Sequence, residues 1–129
     1  MAKIKFVTCF NEDYLQKMTF QFLKSMHKSW EDTIEIHAYY YDLNLKNYSL
    51  PKAKNIFYHN LEEIEDYNNS IEQHAIHNGT EGGALEYNRL IDATTFIPKV
   101  IALSECAFNN SDSWLFWIDA DTVSKRKIS

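Results

Sequence analysis

Near the end of the chain, SWLFWIDADTVS carries an apolar and aromatic run, Trp114 to Ile118, into two carboxylates, Asp119 and Asp121, with Ala120 between them. Residues two apart on a strand point the same way, so a strand that continues through this segment projects both acids together. Side by side at a strand end they repel unless they share a cation or a proton. Hard oxygen ligands suit Mg²⁺ or Mn²⁺, ions that complete their shells with water and substrate phosphates. A solvated Asp-x-Asp turn uses the same tripeptide, but the preceding WLFWI fixes where the acids emerge.

The elements that must position these acids are readable from periodicity. Lys3 to Phe10 (KIKFVTCF) is a short β-branched apolar run and predicts a buried first strand. Asn11-Glu12-Asp13 then offers helix-capping chemistry, followed by Leu15, Met18, Phe22, Met26 and Trp30 at helical spacing. Thr33 to Tyr40 (TIEIHAYY) predicts a second strand, closed off by Asp42, and Asn55 to His59 (NIFYH) a shorter third. From Asn60 to about Ala93 the pattern weakens: LEEIEDYNN reads as a short helix, HNGTEGG gathers the three glycines, and the stretch reads as mobile. Thr95 is expected to cap a helix with Pro98 in its first turn and Val100, Leu103, Cys106 and Ala107 on its inner face. Trp114 to Ile118 is the fourth strand.

Strands alternating with helices predict an α/β fold, a Rossmann-like and mostly parallel sheet of order 3-2-1-4 with flanking helices. The switch point then lies between strands one and four, and ligands of such sheets bind beyond the carboxyl ends of the strands there. Those ends are Thr8-Cys9-Phe10-Asn11 and Asp119-Ala120-Asp121, two separately identified segments converging on one place.

The totals bound the function. At 129 residues, 45% hydrophobic and 24% charged, the chain has the composition of one globular domain spanning 1–129, long enough to bury roughly two thirds of its unfolded surface. No apolar run approaches a membrane span and MAKIKFVTCFNED turns polar too early for a signal peptide, so a cytoplasmic protein is expected. Cys9 and Cys106 lie in apolar stretches without metal-ligand spacing and read as reduced core residues. A formal charge of −5 argues against a nucleic-acid partner, but not against a phosphate-bearing ligand, because a divalent ion inverts the local charge. His74 and His77 are spaced for a shared metal on a helix, yet their polar flanks and the lack of a third ligand argue otherwise. Lys125-Arg126-Lys127 reads as a basic exposed tail. No Gly-x-Gly-x-x-Gly follows strand one, which speaks against a dinucleotide-cofactor dehydrogenase.

WLFWIDADT resembles the Asp-x-Asp element of glycosyltransferases with the GT-A fold, in which a nucleotide-sugar sits over a Rossmann-like half-domain and a divalent metal bridges the acids to its diphosphate. KIKFVTCFN resembles the opening strand that cradles the nucleotide, and TFIPKVIALSECAF the helix leading into the metal-binding strand. The resemblance implies Asp121 as the direct metal ligand, with Asp119 contacting the ribose or the metal through water, and Mn²⁺ or Mg²⁺ as cofactor. It also implies Thr8, Cys9, Phe10, Asn11, Asp42, Lys99 and Ala120 at the donor, a nucleotide-sugar in which uridine diphosphate is favoured. Lys99 faces the acids in that reading and is a solvated helical lysine in the plainer one. Asn11 is open between nucleotide contact and helix cap, Asp42 between base or ribose contact and a simple strand end; Glu12 also follows strand one, where nucleotide contacts are expected, and Arg89 is a weaker candidate.

In this family the acceptor site, catalytic base and commonly a further metal ligand come from the half of the fold after the Asp-x-Asp strand, and only a few residues follow it here. The expectation is therefore the nucleotide-binding half, apparently truncated, of a hexosyltransferase-type enzyme. Transfer belongs to a complete form, and an open sheet edge invites self-association or a missing second half. Two other classes compete. Haloacid-dehalogenase-type phosphatases carry a similar Asp-x-Asp-x-Thr/Val element, which would make Asp119 a nucleophile, although theirs usually lies on the first strand. A non-catalytic interaction domain would keep only the fold.

Overall fold

Four short apolar runs form four strands, β1 (Ile4–Phe10), β2 (Glu35–Tyr40), β3 (Ile56–Asn60) and β4 (Trp114–Trp117). The computed structural model describes residues 4–16, 21, 23–25, 34–52, 54–73 and 93–119. All three strand pairings are parallel and the order is β3-β2-β1-β4, the expected α/β arrangement. Phe10 lies opposite Tyr40, and Tyr40 opposite Asn60, so the carboxyl ends of the first three strands finish level. On the other side of β1, the ladder to β4 runs from Ile4↔Trp114 to Val7↔Trp117. Helical segments fill the connections: α1 (Glu12–Tyr14), α2 (Glu65–Gln73) and α3 (Ala93–Asn109), with 3-10 turns at Leu45–Asn47 and Leu61–Glu63.

The pleat divides the core into two layers. Phe10, Ile36, Ala38 and Ile56 point to one face and pack with Leu15 and Leu23 from the segment that follows β1. Val7 and Tyr39 point to the other and meet Leu61, Tyr67, Ala102 and Cys106 beneath α2 and α3. Nearly every position of β2 is buried, as befits an inner strand covered on both sides. Cys106 is in this core and Cys9 is half-buried beside it, both as free thiols.

Two expectations are corrected. The helix expected to begin at a Thr95 cap begins at Ala93, which places Pro98 inside it, and Pro98 is fully buried. Its inner face is Ile97, Ile101, Ala102 and Cys106, whereas Val100 is 63% exposed and Leu103 and Ala107 also face outward. Apolar residues surround most of this helix, so spacing alone could not choose the buried side. The small side chains of Ala102 and Cys106 decide it by letting α3 close onto β1. Likewise, the stretch expected to be mobile contains an ordered entry: Asn60 Oδ1 accepts from the Glu62 N–H at 2.9 Å, Asn68 Nδ2 donates to the Glu62 carbonyl at 2.8 Å, and α2 comes next with Tyr67 buried. The rest of that stretch, 74–92, lies outside the described residues.

A polar chain crosses the α3 side of the sheet. Lys5 Nζ donates to Asn110 Oδ1 and stands 3.6 Å from Glu35 Oε2. Glu35 Oε1 contacts His37 Nε2 at 3.1 Å, and His37 Nδ1 meets His59 Nε2 at 2.9 Å. Burial holds the His37 pKa below its usual value despite Glu35, and burial together with the His37 charge holds His59 at about 4. Between the unfolded value near 6.5 and those lowered values, the unfolded chain binds protons that the folded chain does not. The sign is therefore fixed: stability is full above about pH 6.5 and falls as pH drops towards 4. We expect a loss of about 1 kcal/mol between pH 7 and pH 5, the His59 contribution being reduced by solvent screening of a partly exposed ring, read from urea-unfolding midpoints. His59→Leu should flatten that slope; an unchanged slope would assign the acid sensitivity elsewhere.

Candidate functional site

The ends of β1 and β4 emerge together. The Ile118 N–H donates to the Val7 carbonyl at 3.0 Å, continuing the ladder one step past Trp117 before the chain leaves at Asp119. The strand therefore ends where it was expected to, at about Ile118, and Asp119 follows it. What orients Asp119 is Trp117, two residues earlier, whose indole Nε1–H donates to Asp119 Oδ1 at 2.9 Å. From α3, Lys99 Nζ stands 5.9 Å from the centroid of the same indole, within cation–π range. One aromatic ring therefore links a cation on a helix to a carboxylate at a strand end.

Cys9 completes this group. Burial is the main cause that raises its thiol pKa to about 12, with Lys99 pulling it down and Asp119 pushing it up, so both charges reach it. The thiol stays protonated at neutral pH and is no nucleophile there. On the β2 side, Asp42 has φ 49°, in the left-handed region that Asp tolerates better than most residues. Its charge adds to the burial that raises the Tyr41 and Tyr67 hydroxyls, whose rings lie 6.3 Å apart.

Cys9, Lys99 and Asp119 are thus brought together at the expected end of the sheet. Thr8 and Phe10 project to the opposite face, and both are fully buried. Thr8 Oγ1 has no hydrogen-bond partner among the described residues. The Phe10 carbonyl accepts from the Tyr41 N–H at 3.2 Å, so its backbone is committed to the β2 side. Asn11 acts as a helix cap, its Oδ1 accepting from the Tyr14 N–H at 3.0 Å, and Glu12 Oε1 accepts from the Tyr48 hydroxyl at 2.6 Å. Ala120, Asp121, Arg89, His74, His77 and the basic run 125–127 lie outside the described residues. Trp117 is the participant the sequence reading missed. Its signal was present, since a Trp two residues before an acid shares its side of an extended chain.

Among the described residues, no group of three or more His, Cys, Asp or Glu side chains is placed to hold a metal ion, and Asp119 is the one described carboxylate at this strand end. Asp119 is exposed, its Oδ1 is steadied by the indole, and its second oxygen is left to ligate or to hold a bound water. Lys99 supplies the counter-charge that an anionic ligand would need. Among the described residues, no helix is long and apolar enough to cross a membrane. No family model, curated protein or solved structure matches the chain.

Proposed function

We propose that this is a glycosyltransferase-like domain that binds a nucleotide-diphosphate-sugar through Mn²⁺ or Mg²⁺ held by Asp119 and Asp121. The observation that carries the reading is the meeting of Asp119, Trp117 and Lys99 at the carboxyl end of β4, beside β1, in a parallel sheet of order β3-β2-β1-β4. That is where open α/β sheets place their ligands. In this reading Trp117 holds one Asp119 oxygen so that the other faces the metal or the ribose. Lys99 neutralises diphosphate charge, and the nucleotide lies against the β1 end. The cation, when bound, would offset the charge of the diphosphate leaving group. Transfer of the sugar is assigned to a form that also supplies an acceptor site.

Calorimetric titration with uridine and guanosine diphosphates and their sugars, with and without Mn²⁺, tests this. Binding should need the metal, weaken at least tenfold in Lys99→Ala, and vanish in Asp121→Ala. Binding indifferent to metal and to both substitutions would overturn the reading. Hydrolysis of a small phosphoester that depends on Asp119 would replace it with a phosphatase, and no binding under any condition would leave an interaction domain.

A further inference from the structure

A second candidate site lies elsewhere on the α3 side of the sheet. A groove of about 530 Å³, open to solvent, runs between β2–β3 and the last turns of α3, and its walls include His37, Tyr39, His59, Glu63, Glu105 and Asn110. It shares no lining residue with the Cys9, Lys99, Trp117 and Asp119 group.

The histidine pair fixes the chemistry of this groove. The two ring planes are within 1° and their centroids are 5.2 Å apart, while the facing nitrogens are 2.9 Å apart. The centroid separation is then the nitrogen–nitrogen distance plus one ring radius at each end, so the rings meet edge to edge along a line in a common plane. That geometry suits one shared N–H···N proton. It does not suit a metal, towards which two imidazole lone pairs must converge at an angle. A carboxylate only accepts, so Glu35 requires His37 Nε2 to carry a proton. Neutral His37 must then accept at Nδ1, and His59 Nε2 must donate. His59 is left with its Nδ1 as a lone-pair acceptor, and no described residue donates to it.

The remaining lining has the same polarity. Lys5 sits behind the groove, committed to Glu35 and Asn110. Asn110 Nδ2 donates to the Cys106 carbonyl at 2.8 Å, and Asn109 Nδ2 donates to Glu105 Oε1 at 3.3 Å. The Asn109 and Asn110 amides are therefore engaged, Asn60 Nδ2 is the amide donor left in the lining, no described Lys or Arg lines the groove, and Glu63, Glu105 and His59 Nδ1 outnumber it as acceptors. The Tyr39 and His59 rings, stacked 4.6 Å apart, supply a π surface beside them.

We infer that this groove binds a small organic cation carrying protonated amines, which donate to Glu63, Glu105 and His59 Nδ1 and lie against the aromatic wall. An ammonium group offers donors and positive charge where the lining offers acceptors and negative charge. A phosphate would meet carboxylates with no cation in the described lining to offset them.

The test is an NMR titration with spermidine as the amine probe at 150 mM salt, with glucose and inorganic phosphate as neutral and anionic comparators. Spermidine should saturate at one equivalent and shift the resonances of His59 and Glu105. Its affinity should fall at least tenfold in Glu105→Gln and severalfold in His59→Phe. Glucose and phosphate should leave those resonances in place, and the ring nitrogens of His59 should report a proton on Nε2. Shifts scattered over the acidic surface, affinity unchanged in both variants, equal binding of glucose, or a proton on His59 Nδ1 at pH 7 would each overturn the assignment. Neither metal nor nucleotide enters this experiment, so its outcome is independent of the Asp119 site.

Discussion

Lys5→Met is expected to destabilise the chain by about 3 kcal/mol at pH 7, even though methionine fills much of the same space and is the more hydrophobic residue. Lys5 is buried, and its ammonium group touches two groups, the Glu35 carboxylate at 3.6 Å and Asn110 Oδ1. Removing it strips the nearest cation from a carboxylate that is itself largely out of water, leaving Glu35 with His37 as its remaining partner among the described residues. An uncompensated buried charge costs far more than the net worth of the pair it came from. The double variant Lys5→Met/Glu35→Gln should therefore recover most of the loss, because glutamine can still accept from His37 Nε2–H and no charge remains to be desolvated. Urea unfolding measures both. A second readout is independent of stability: the Lys5 charge helps to hold the His37 pKa down, so that pKa should rise in Lys5→Met. A single-variant cost below 1 kcal/mol, or a double variant that costs the sum of its parts, would show that the polar chain carries no such weight.

That polar chain is invisible along the sequence, for a physical reason. His37 and His59 sit in separate strands, each looking like an ordinary strand residue. Their contact exists because β2 and β3 are neighbours in a register that sets Tyr39 opposite His59 and His37 opposite Phe57. The strands themselves are legible because apolar runs bounded by acids and amides leave few alternatives. Three parallel crossovers join the strands, and the order changes direction once, between β3 and β4. The place where Asp119 leaves the sheet is legible because an apolar run passes abruptly into acids, although β4, as the edge strand, is only half-buried, with Trp114 66% and Phe116 46% exposed. By contrast, the buried side of α3 is not legible, because Phe96, Val100, Leu103 and Phe108 give that helix an apolar surface on its outer side as well. Only the fit of Ala102 and Cys106 against β1 selects among faces of similar hydrophobicity. In the same way, position alone makes Thr8 and Phe10 strand-end ligands, whereas the pleat turns both side chains into the core on the far side of the sheet from Lys99 and Asp119.

Phe10→Ala is the substitution expected to cost most, about 3–5 kcal/mol in urea unfolding. Phe10 is 0% exposed and packs with Leu15, Leu23 and Ile36, its ring 6.4 Å from that of Tyr40. Truncation removes the transfer free energy of an aromatic side chain and leaves a void that the parallel strands on either side cannot readily close. Because the residue is the last of β1, the loss falls where the chain turns into the Asn11 cap and where the nucleotide-binding reading needs fixed backbone. Phe10→Leu separates a core role from a ligand contact. If Phe10 is core, leucine should cost about 1–2 kcal/mol and leave metal-dependent nucleotide affinity within twofold of the parent. If the ring itself contacts a ligand, leucine should spare stability and weaken binding. The buried ring argues for the first result, and the second would move the donor site to the α1 side of the sheet, away from Lys99 and Asp119.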